Sequence, residues 1–299
     1  MPEQHPSIKF LQLNLNISEA AQINLLHKVN KLENYIALVT EPRCIAQKLT
    51  LVPRDATVAP TVREGSPRAA IFAAKHLLLT EITELSTRDL AAGLCQINGK
   101  RTVVISCYMD INIDIDCHEI WKALAYCDKH GYSVIIGADT NSHSKEWGNT
   151  LNNRGKKLEK LISEYSLEVS NKGRDWTYDC RLGKSIIDVT LKSKLKSRID
   201  KWRVLKECNY SDHNTILFEV NTDKIIIPEH RNYDNADWAL FTHTMNNFTI
   251  EFPEKINSFK LDNIVCKLTR GLNSALDKAC PKIKEKVIDR NGGRRSLRN

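Results

Sequence analysis

Short apolar runs bounded by polar residues recur along the chain, and they predict β-strands. The clearest are IKFLQLNL (8–15), IALVT (36–40), AAIFA (69–73), TVVISCY (102–108) and SVIIGA (133–138). Further runs follow at WTYD (176–179), SIIDVTL (185–191) and NTILFEV (214–220). Because each run is short and rich in β-branched or aromatic residues, a strand is favoured over a helix.

Apolar residues at helical spacing lie between some of these strands. Helices are predicted from Ser18 to about Asn34, from His118 to His130 and from Arg154 to Tyr165. Two more are predicted near 235–249 and 262–279. Strands therefore dominate up to about residue 222 and helices beyond it. This predicts one α/β domain over 1–222 and a helical extension over 223–299.

Length and composition are those of a globular protein. The 299 residues can hold one large domain with a small appendage, and 41% hydrophobic with 27% charged residues is typical of such chains. The N-terminus has no apolar signal region, and no apolar run reaches the ~20 residues that span a bilayer. We therefore expect an intracellular protein without a membrane segment.

The charge and the cysteines narrow the possible partners. A net charge of +8 suits a polyanion, although many basic proteins bind no nucleic acid. The segment 278–299 is rich in Lys and Arg and is predicted to be a flexible basic tail. No two of the nine cysteines have C-x-x-C spacing, which argues against a zinc ribbon and favours reduced, buried thiols.

Polar side chains collect at the ends of the predicted strands. The first strand places Gln12, Asn14 and Asn16 on alternate positions, and therefore on one face. The other strand ends or interruptions carry Glu41, Asp139, Asn141, Asp188, Asp212 and His213. Strand ends can meet at one rim of a sheet, and this oxygen-rich set without thiolates selects a hard cation such as Mg²⁺ or Mn²⁺. A hard cation beside a histidine fits phosphoryl chemistry on a polyanion.

Each of these residues also has a purely structural interpretation. Asn14 could be a hydrogen-bonded amide, and Glu41 could be a solvated strand end. Asp139 and Asn141 favour turns, and the Asp212–His213 pair could cap an element. The order and spacing of the whole set, rather than any single residue, carry the functional interpretation.

The motifs together resemble the endonuclease/exonuclease/phosphatase superfamily. They are, in the order of that superfamily, LQLNLN (11–16), TEP (40–42), SCYMD (106–110), GADTNSH (137–143), SIIDVTL (185–191) and SDHN (211–214). The resemblance implies an α/β (α+β) fold of the DNase I type. In this fold two packed sheets of mixed, mainly antiparallel strands are flanked by helices. The Thr40–Gly65 stretch departs from the pattern, because it contains prolines and little predicted strand.

A second resemblance concerns the region after the nuclease motifs. RNYDNADWALF (231–241) and the AC-P pattern (279–281) resemble the linker that follows the apurinic-endonuclease-like domain of Jockey-type non-LTR retrotransposon polyproteins. In such polyproteins a reverse transcriptase comes next, and this sequence has no Y-x-D-D signature. The resemblance therefore implies a partner reverse transcriptase downstream of 223–299.

The resemblance also implies a role for each motif residue. It assigns metal binding to Glu41, Asn14 and Asp212. It assigns the handling of the attacking water to Asp139, with Asn141 in support, and contact with the scissile phosphate to Tyr108. It assigns the imidazole at the phosphate to His213, oriented by Asp188.

The function implied is a Mg²⁺-dependent endonuclease, with Mn²⁺ as a possible substitute, acting on DNA in the nucleus. It would leave a 3′-hydroxyl and a 5′-phosphate, and the 3′-hydroxyl would prime reverse transcription. Candidate DNA contacts are Arg174, Trp176 and Arg181, although a plain hairpin with a buried Trp fits the same residues. The rival hypotheses are an apurinic repair endonuclease and a decayed, non-catalytic nucleic-acid-binding module.

Overall fold

The computed structural model describes residues 7–60, 65–113, 117–193, 198–222, 229–249 and 258–284. The chain divides into two compact units, Met1–Ile225 and Ile226–Asn299. Most of the predicted basic tail, from residue 285 onward, lies outside the described residues. The assignment of 1–222 as the nuclease and 223–299 as a linker toward a further domain stays a prediction.

Strands account for most of the regular secondary structure described in the first unit. They are β1 (Ser7–Asn14), β2 (Tyr35–Thr40), β3 (Cys44–Ile45), β4 (Lys48–Leu49), β5 (Ala56–Ala59), β6 (Ala69–Ala74), β7 (Thr80–Glu81), β8 (Leu90–Ile97), β9 (Lys100–Tyr108), β10 (Ser133–Asp139), β11 (Glu168–Val169), β12 (Tyr178–Cys180), β13 (Gly183–Ser185), β14 (Asp188–Lys192), β15 (Ile199–Val204) and β16 (Ile216–Asn221). Its helices are α1 (Glu19–Val29), α2 (His118–His130) and α3 (Asn153–Glu164). Two 3₁₀ turns lie at Lys75–Leu77 and Lys145–Trp147.

Local chemistry explains where the helices begin and end. The Ser18 hydroxyl accepts from the Ala21 amide at the start of α1, and the Asn152 side chain does the same for Gly155 in α3. Helix α2 ends at Gly131, whose φ of 64° is left-handed and suits glycine. Helix α1 ends at Val29 rather than near Asn34 as predicted, because the amides of Asn30 and Leu32 turn back to carbonyls of the last turn.

Two six-stranded sheets form the body of the unit. The first has the order β15-β16-β1-β2-β6-β5 and the second β11-β14-β10-β9-β8-β7. In each sheet one parallel pair, β1 with β2 or β9 with β10, lies among antiparallel neighbours. The predicted two-sheet sandwich of mixed, mainly antiparallel strands is confirmed.

The core consists of three apolar layers. The central layer packs the two sheets together and includes Phe10 and Ile36 from the first and Val104 and Ile135 from the second. Outer layers bury α1 on the first sheet, and α2 with α3 on the second. Polar contacts also join the sheets, since Ser106 donates to the Val39 carbonyl at 2.8 Å. The sandwich is thus rigid on both faces, which leaves its rims for function.

The sequence pattern did not predict several of the strands. β5 is short and alanine-rich, and β8 (LAAGLCQI) contains small residues with low strand propensity. Space requires the glycine in β8, because a Cβ on Gly93 would lie 2.4 Å from the Leu79 side chain. β15 carries a bulge between Asp200 and Arg203, which breaks the alternation of apolar residues.

The second unit is described by itself. It contains a 3₁₀ turn at Tyr233–Asn235, the helices α4 (Trp238–Asn246) and α5 (Ser258–Ala279), and the paired strands β17 (Glu229–Arg231) and β18 (Lys282–Lys284). Phe248 packs against Gly271, where a Cβ would lie 2.4 Å from the ring. Within the described ranges, no helix has the length and apolarity that crossing a bilayer requires.

Gly155 in α3 generates a stability prediction. A Cβ at this position would lie 1.8 Å from the backbone oxygen of His143. We expect Gly155→Ala to lower the free energy of unfolding by about 1–3 kcal/mol, even though alanine favours helices. Urea titration followed by circular dichroism measures the change. Gly183→Ala is the control, because nothing lies within 4 Å of its Cβ position. Equal midpoints for the two variants would contradict the prediction.

Candidate active site

Strand direction brings the polar motif residues to one rim of the sandwich. Asn14 ends β1 opposite Thr40, the residue before Glu41, because β1 and β2 are parallel. Asp139 ends β10 opposite both Tyr108, at the end of parallel β9, and Asp188, at the start of antiparallel β14. The carboxyl ends of parallel strands and the amino ends of their antiparallel neighbours share an edge. Residues far apart in the chain therefore meet.

The amide of Asn14 lies at the centre of this rim. Its Nδ2 donates to Glu41 Oε2 at 2.9 Å and to Asp139 Oδ2 at 2.8 Å. Its Oδ1 accepts from the backbone amide of Asn16 at 2.7 Å, which fixes which way the side-chain amide points. Asn14 is 1% exposed. One buried side chain thus links a carboxylate from each sheet.

Gln12 and Asn14 share one face of β1 as expected, because both side chains contact the second sheet, but Asn16 is not part of the strand. Gln12 lies between the sheets, where it donates to the Ala138 and Val189 carbonyls and accepts from Thr190. Asn16 lies beyond the strand, with a left-handed φ of 45°. Only Asn14 has its side chain among the acidic groups, and Gln12 is a structural link.

His213 and Asp188 form a buried pair beside Asp139. His213 Nδ1 lies 2.8 Å from Asp188 Oδ2, and His213 Nε2 lies 3.9 Å from Asp139 Oδ2. The backbone of Asp188 is fixed in turn, because its amide donates to Thr177 Oγ1 at 3.0 Å and its carbonyl accepts from Asn171 at 2.9 Å. Asp188 therefore orients the imidazole and leaves Nε2 facing the rim.

The loop before β16 holds His213 in place. Asn209 donates to the His213 carbonyl at 2.7 Å and accepts from the Ser211 amide at 3.1 Å. Ser211 donates to the Asn14 carbonyl at 2.8 Å, which ties the loop to β1. The Tyr178 ring meets the imidazole edge-on, with centroids 5.0 Å apart. The imidazole is thus confined on several sides.

Burial and like charge shift the protonation of these groups. Burial, and next the Asp188 carboxylate, raise the pKa of Asp139 above its ordinary value. For His213, burial alone would lower the pKa, but Asp188, Asp139 and Asp212 raise it to about 9. The imidazole is therefore protonated at neutral pH in the metal-free protein, with Nε2 as a hydrogen-bond donor.

Two residues of the rim have left-handed backbones that side chains disfavour. Glu41 has a φ of 46° and Asn141 a φ of 44°. Asn141 is held by hydrogen bonds from its Nδ2 to the Met109 carbonyl at 3.1 Å and from its amide to Asp139 Oδ1 at 3.3 Å. Such strain costs about 1–3 kcal/mol per residue and persists where surrounding contacts enforce it.

The remaining predicted residues occupy different places. The half-buried Asp212 contacts the Ser211 hydroxyl at 3.5 Å, and its charge acts on His213. Among the described contacts, no hydrogen bond joins it to Glu41 or Asn14. Arg174 and Arg181 are exposed, and Trp176 is 42% exposed, so the buried-Trp alternative is wrong. β12 and β13 do form a hairpin there.

Sequence reasoning missed residues that support the site. Arg154 on α3 donates to the carbonyls of Ile113, Met109 and Thr140, which belong to the segments after β9 and β10. Arg68 binds two aspartates at the same rim. Charged residues next to apolar segments were a possible signal, but their partners lie too far along the chain to be identified from spacing.

The donor chemistry fits a hard divalent cation. Asp139, Asp188 and His213 offer ligand atoms within 4.8 Å of one another, and Glu41 adds a half-buried carboxylate. The 2.8 Å contact between His213 Nδ1 and Asp188 is a hydrogen bond, so those two atoms are committed to each other. Several acids close together repel a phosphate unless a cation offsets them. Carboxylate and amide oxygens without thiolates suit such an ion.

Comparisons with known proteins indicate the same class of protein as the motifs. Residues 102–217 match the family described as Endonuclease-reverse transcriptase. The chain is 26% identical over 297 residues to the 115 kDa protein of type-1 retrotransposable element R1DM from Drosophila melanogaster, covering 90% of this chain and 28% of that protein. It is 31% identical over 116 residues to the Pol polyprotein of the type-1 element R1 from Bradysia coprophila, covering 35% of this chain and 12% of that one.

A solved structure agrees as well. The endonuclease domain of TRAS1, a telomere-specific non-LTR retrotransposon, superposes with a TM-score of 0.62 and 25% identity, over 73% of this chain and all of that domain. The fold and these comparisons support a phosphoester hydrolase of the DNase I type. The chain is similar to the endonuclease/exonuclease/phosphatase superfamily and, within it, to the apurinic-endonuclease-like domain of non-LTR retrotransposon proteins. The narrower Jockey-type assignment stays a prediction.

The buried carboxyl of Asp139 generates a second stability prediction. Its pKa is raised in the folded protein, so ionisation opposes folding and stability falls as pH rises above the unfolded value of about 3.9. We expect Asp139→Asn to raise the free energy of unfolding at pH 7 in EDTA by about 1 kcal/mol, and by less at pH 5. Urea titration measures both.

The exposed Asp179, which pairs with Lys184 at 2.7 Å, supplies the matched control Asp179→Asn. This change should alter stability by less than about 0.5 kcal/mol. A destabilised Asp139→Asn protein at pH 7 would show that the Asp139 carboxylate is a net stabiliser.

Proposed function

We propose that this domain hydrolyses DNA phosphodiester bonds with Mg²⁺, or Mn²⁺ in its place, and leaves a 3′-hydroxyl and a 5′-phosphate. The observation that carries the proposal is the Asn14 amide held between Glu41 and Asp139, with the His213–Asp188 pair 3.9 Å from Asp139. A carboxylate, an oriented imidazole and a second acid within one phosphate's reach suit in-line displacement at phosphorus.

Glu41 would hold the cation, with Asn14 beside it and Asp212 as the further acid that the family resemblance implies. When bound, the cation offsets the negative charge that builds up on the phosphate oxygens. Both Asn14 Nδ2 hydrogens already donate to carboxylates, so Asn14 acts here by fixing the position of Glu41. That role needs no movement of the amide.

The other residues serve the attacking and leaving groups. Asp139 accepts a proton from the attacking water as the water oxygen bonds to phosphorus. The bond between phosphorus and the 3′ oxygen breaks, and that oxygen takes up a proton from solvent to become the 3′-hydroxyl. His213 Nε2 donates to a nonbridging phosphate oxygen, with Asp188 fixing the ring. Asn141 supports Asp139 through its backbone amide. The Tyr108 hydroxyl, which has no hydrogen bond within the described part of the chain, contacts the scissile phosphate.

The biological setting is proposed from the relatives. The chain spans about a quarter of the R1DM protein and an eighth of the Bradysia Pol polyprotein. Those relatives are retrotransposon proteins, and TRAS1 is a telomere-specific element. We therefore infer that a reverse transcriptase is the partner of this domain. The domain would nick DNA in the nucleus, where the 3′-hydroxyl at the nick would prime DNA synthesis on the target.

Nicking of a supercoiled plasmid tests the activity. We expect the parent protein to convert plasmid to the open circular form in Mg²⁺ and to fail in EDTA. Glu41→Gln and His213→Ala should each lower the rate at least about 100-fold, because each removes a charged group next to the phosphate. Asp179→Asn should cleave like the parent. Cleavage in EDTA, or full activity in both site variants, would reject the site.

The same assay separates the rival hypotheses. Oligonucleotides with and without an abasic site distinguish an apurinic repair enzyme, which would cleave only the former. DNA binding without metal-dependent cleavage would instead indicate a decayed binding module. A 3′-hydroxyl at the mapped nick, shown by extension with a polymerase, would support priming.

The β12–β13 hairpin generates a prediction about DNA affinity. Arg174 and Arg181 are exposed near this hairpin, whose first residue Tyr178 packs on His213. We expect Arg181→Ala to weaken DNA binding at 0.1 M salt and to lower the slope of log affinity against log salt by about one. Fluorescence anisotropy in Ca²⁺ or EDTA measures both quantities.

Lys100→Ala is the matched control, because Lys100 starts β9 at the end opposite Tyr108. Nine residues at about 3.3 Å each place it far from the rim. An equal loss of affinity in both variants would mean that the contacts are spread over the basic surface rather than concentrated at the hairpin.

A further inference from the structure

Arg68 joins the two sheets at the active-site rim. It directly precedes β6 in the first sheet, and its guanidinium contacts aspartates of the second sheet. Nε and Nη2 bind both oxygens of Asp89, just before β8, each at 2.5 Å. Nη1 binds Asp110, just after β9, at 2.5 Å. Arg68 therefore fixes the relative position of three strand ends.

The same guanidinium lies over a predicted catalytic side chain. Its Cζ is 4.8 Å from the centroid of the Tyr108 ring, within range of a cation–π contact. The ring is thus held by its face, and within the described ranges its hydroxyl makes no hydrogen bond. A fixed ring with a free hydroxyl is the arrangement expected of a group that awaits a substrate oxygen.

Arg68 is poorly suited to binding a phosphate itself. Three of its donors are occupied by two carboxylates, and its side chain is 18% exposed. The hydrogen bonds to Asp89 raise its pKa, so its charge is permanent and already neutralised. A role in holding other residues accounts for these contacts better than a role as a ligand.

Backbone hydrogen bonds connect Arg68 to Glu41, and its partner Asp89 to Tyr108. Its carbonyl accepts from the Glu41 amide at 2.8 Å, and the Tyr108 amide donates to the Asp89 carbonyl at 2.8 Å. These bonds do not depend on the Arg68 side chain. A side-chain substitution therefore isolates the contribution of the guanidinium to Tyr108.

We propose that Arg68 is a positioning residue that holds the Tyr108 hydroxyl where it contacts the scissile phosphate. This inference rests on the proposed nuclease function. A tyrosine free to swing would contact the phosphate only part of the time, and misplacement of a group by about 1 Å can cost up to 100-fold in rate. The loss should fall on kcat rather than KM, because the contact matters most in the transition state.

Arg68→Lys is the central variant. Lysine keeps the charge but loses the two-point contact with Asp89 and the planar face over the ring. With a duplex oligonucleotide in saturating Mg²⁺, we expect kcat to fall about 10-fold and KM to change less than about 2-fold. Arg231→Lys is the matched control, since Arg231 pairs with Asp277 at 2.9 Å in the second unit. It should leave kcat unchanged.

A double-mutant cycle with Tyr108→Phe tests whether Arg68 acts through the Tyr108 hydroxyl. If Arg68 acts through the hydroxyl, Arg68→Lys should cause no further loss of kcat once that hydroxyl is absent. A general structural role would instead give losses that multiply. Multiplying losses, or parent-like kcat in Arg68→Lys, would overturn the inference while the parent still cleaves. A parent that fails to cleave would overturn the proposed function, and this inference with it.

A milder variant keeps the proposal testable if Arg68→Lys does not fold. Asp110→Asn keeps the shape of one partner and removes one charge-assisted bond to Arg68. We expect a kcat loss of about 3-fold that disappears in the Tyr108→Phe background. Circular dichroism and urea midpoints of all variants show that each remains folded. A loss that persists without the hydroxyl contradicts the proposal even if Arg68→Lys does not fold.

Discussion

The site depends on a single amide that two carboxylates from different sheets share. Asn14 belongs to β1, yet it holds Glu41 from the first sheet and Asp139 from the second. Acids this close repel one another, and burial makes their charge costlier. The amide offsets part of that cost, and the imidazolium of His213 offsets more. What remains is an excess of negative charge, which is the condition under which a divalent cation binds well.

The scaffold makes this concentration of charge tolerable. Sheet-to-sheet contacts, such as that of Ser106 with Val39, fix the two edges before any ligand arrives. Thr177, Asn171 and Asn209 satisfy the backbone around Asp188 and His213. Preorganised groups need little movement during a reaction, which is the main source of electrostatic catalysis. The left-handed backbones at Glu41 and Asn141 show that the fold sustains local strain here.

Much of the fold follows from sequence pattern, and the gaps have physical reasons. The central strands and α2 were visible because apolar periodicity and a glycine cap reinforce each other. The pattern did not predict β8, because the strand is rich in small residues and Leu79 leaves no room for a side chain at Gly93. It did not predict β15, because a bulge interrupts the alternation of its residues. In β8, tertiary packing overrode local propensity.

The site was predictable only as an ordered set of motifs. Asn14, Glu41, Asp139, Asp188 and His213 do meet, whereas Gln12 serves packing and Asp212 lies toward His213. Contacts of Arg68 and Arg154 join residues that no short spacing connects. Such pairings depend on sheet order, which the alternation of residues within single strands does not encode.

The position of the first strand has a consequence for synthesis. β1 lies between β2 and β16, and Ser7 pairs with Asn221. A nascent chain therefore leaves one edge of β1 unpaired until β16 leaves the ribosome. Pairing across such sequence distance is slow, and unpaired edges invite aggregation. During translation His213 emerges just before β16. The imidazole can therefore join the other polar residues of the rim only when the sandwich is nearly complete.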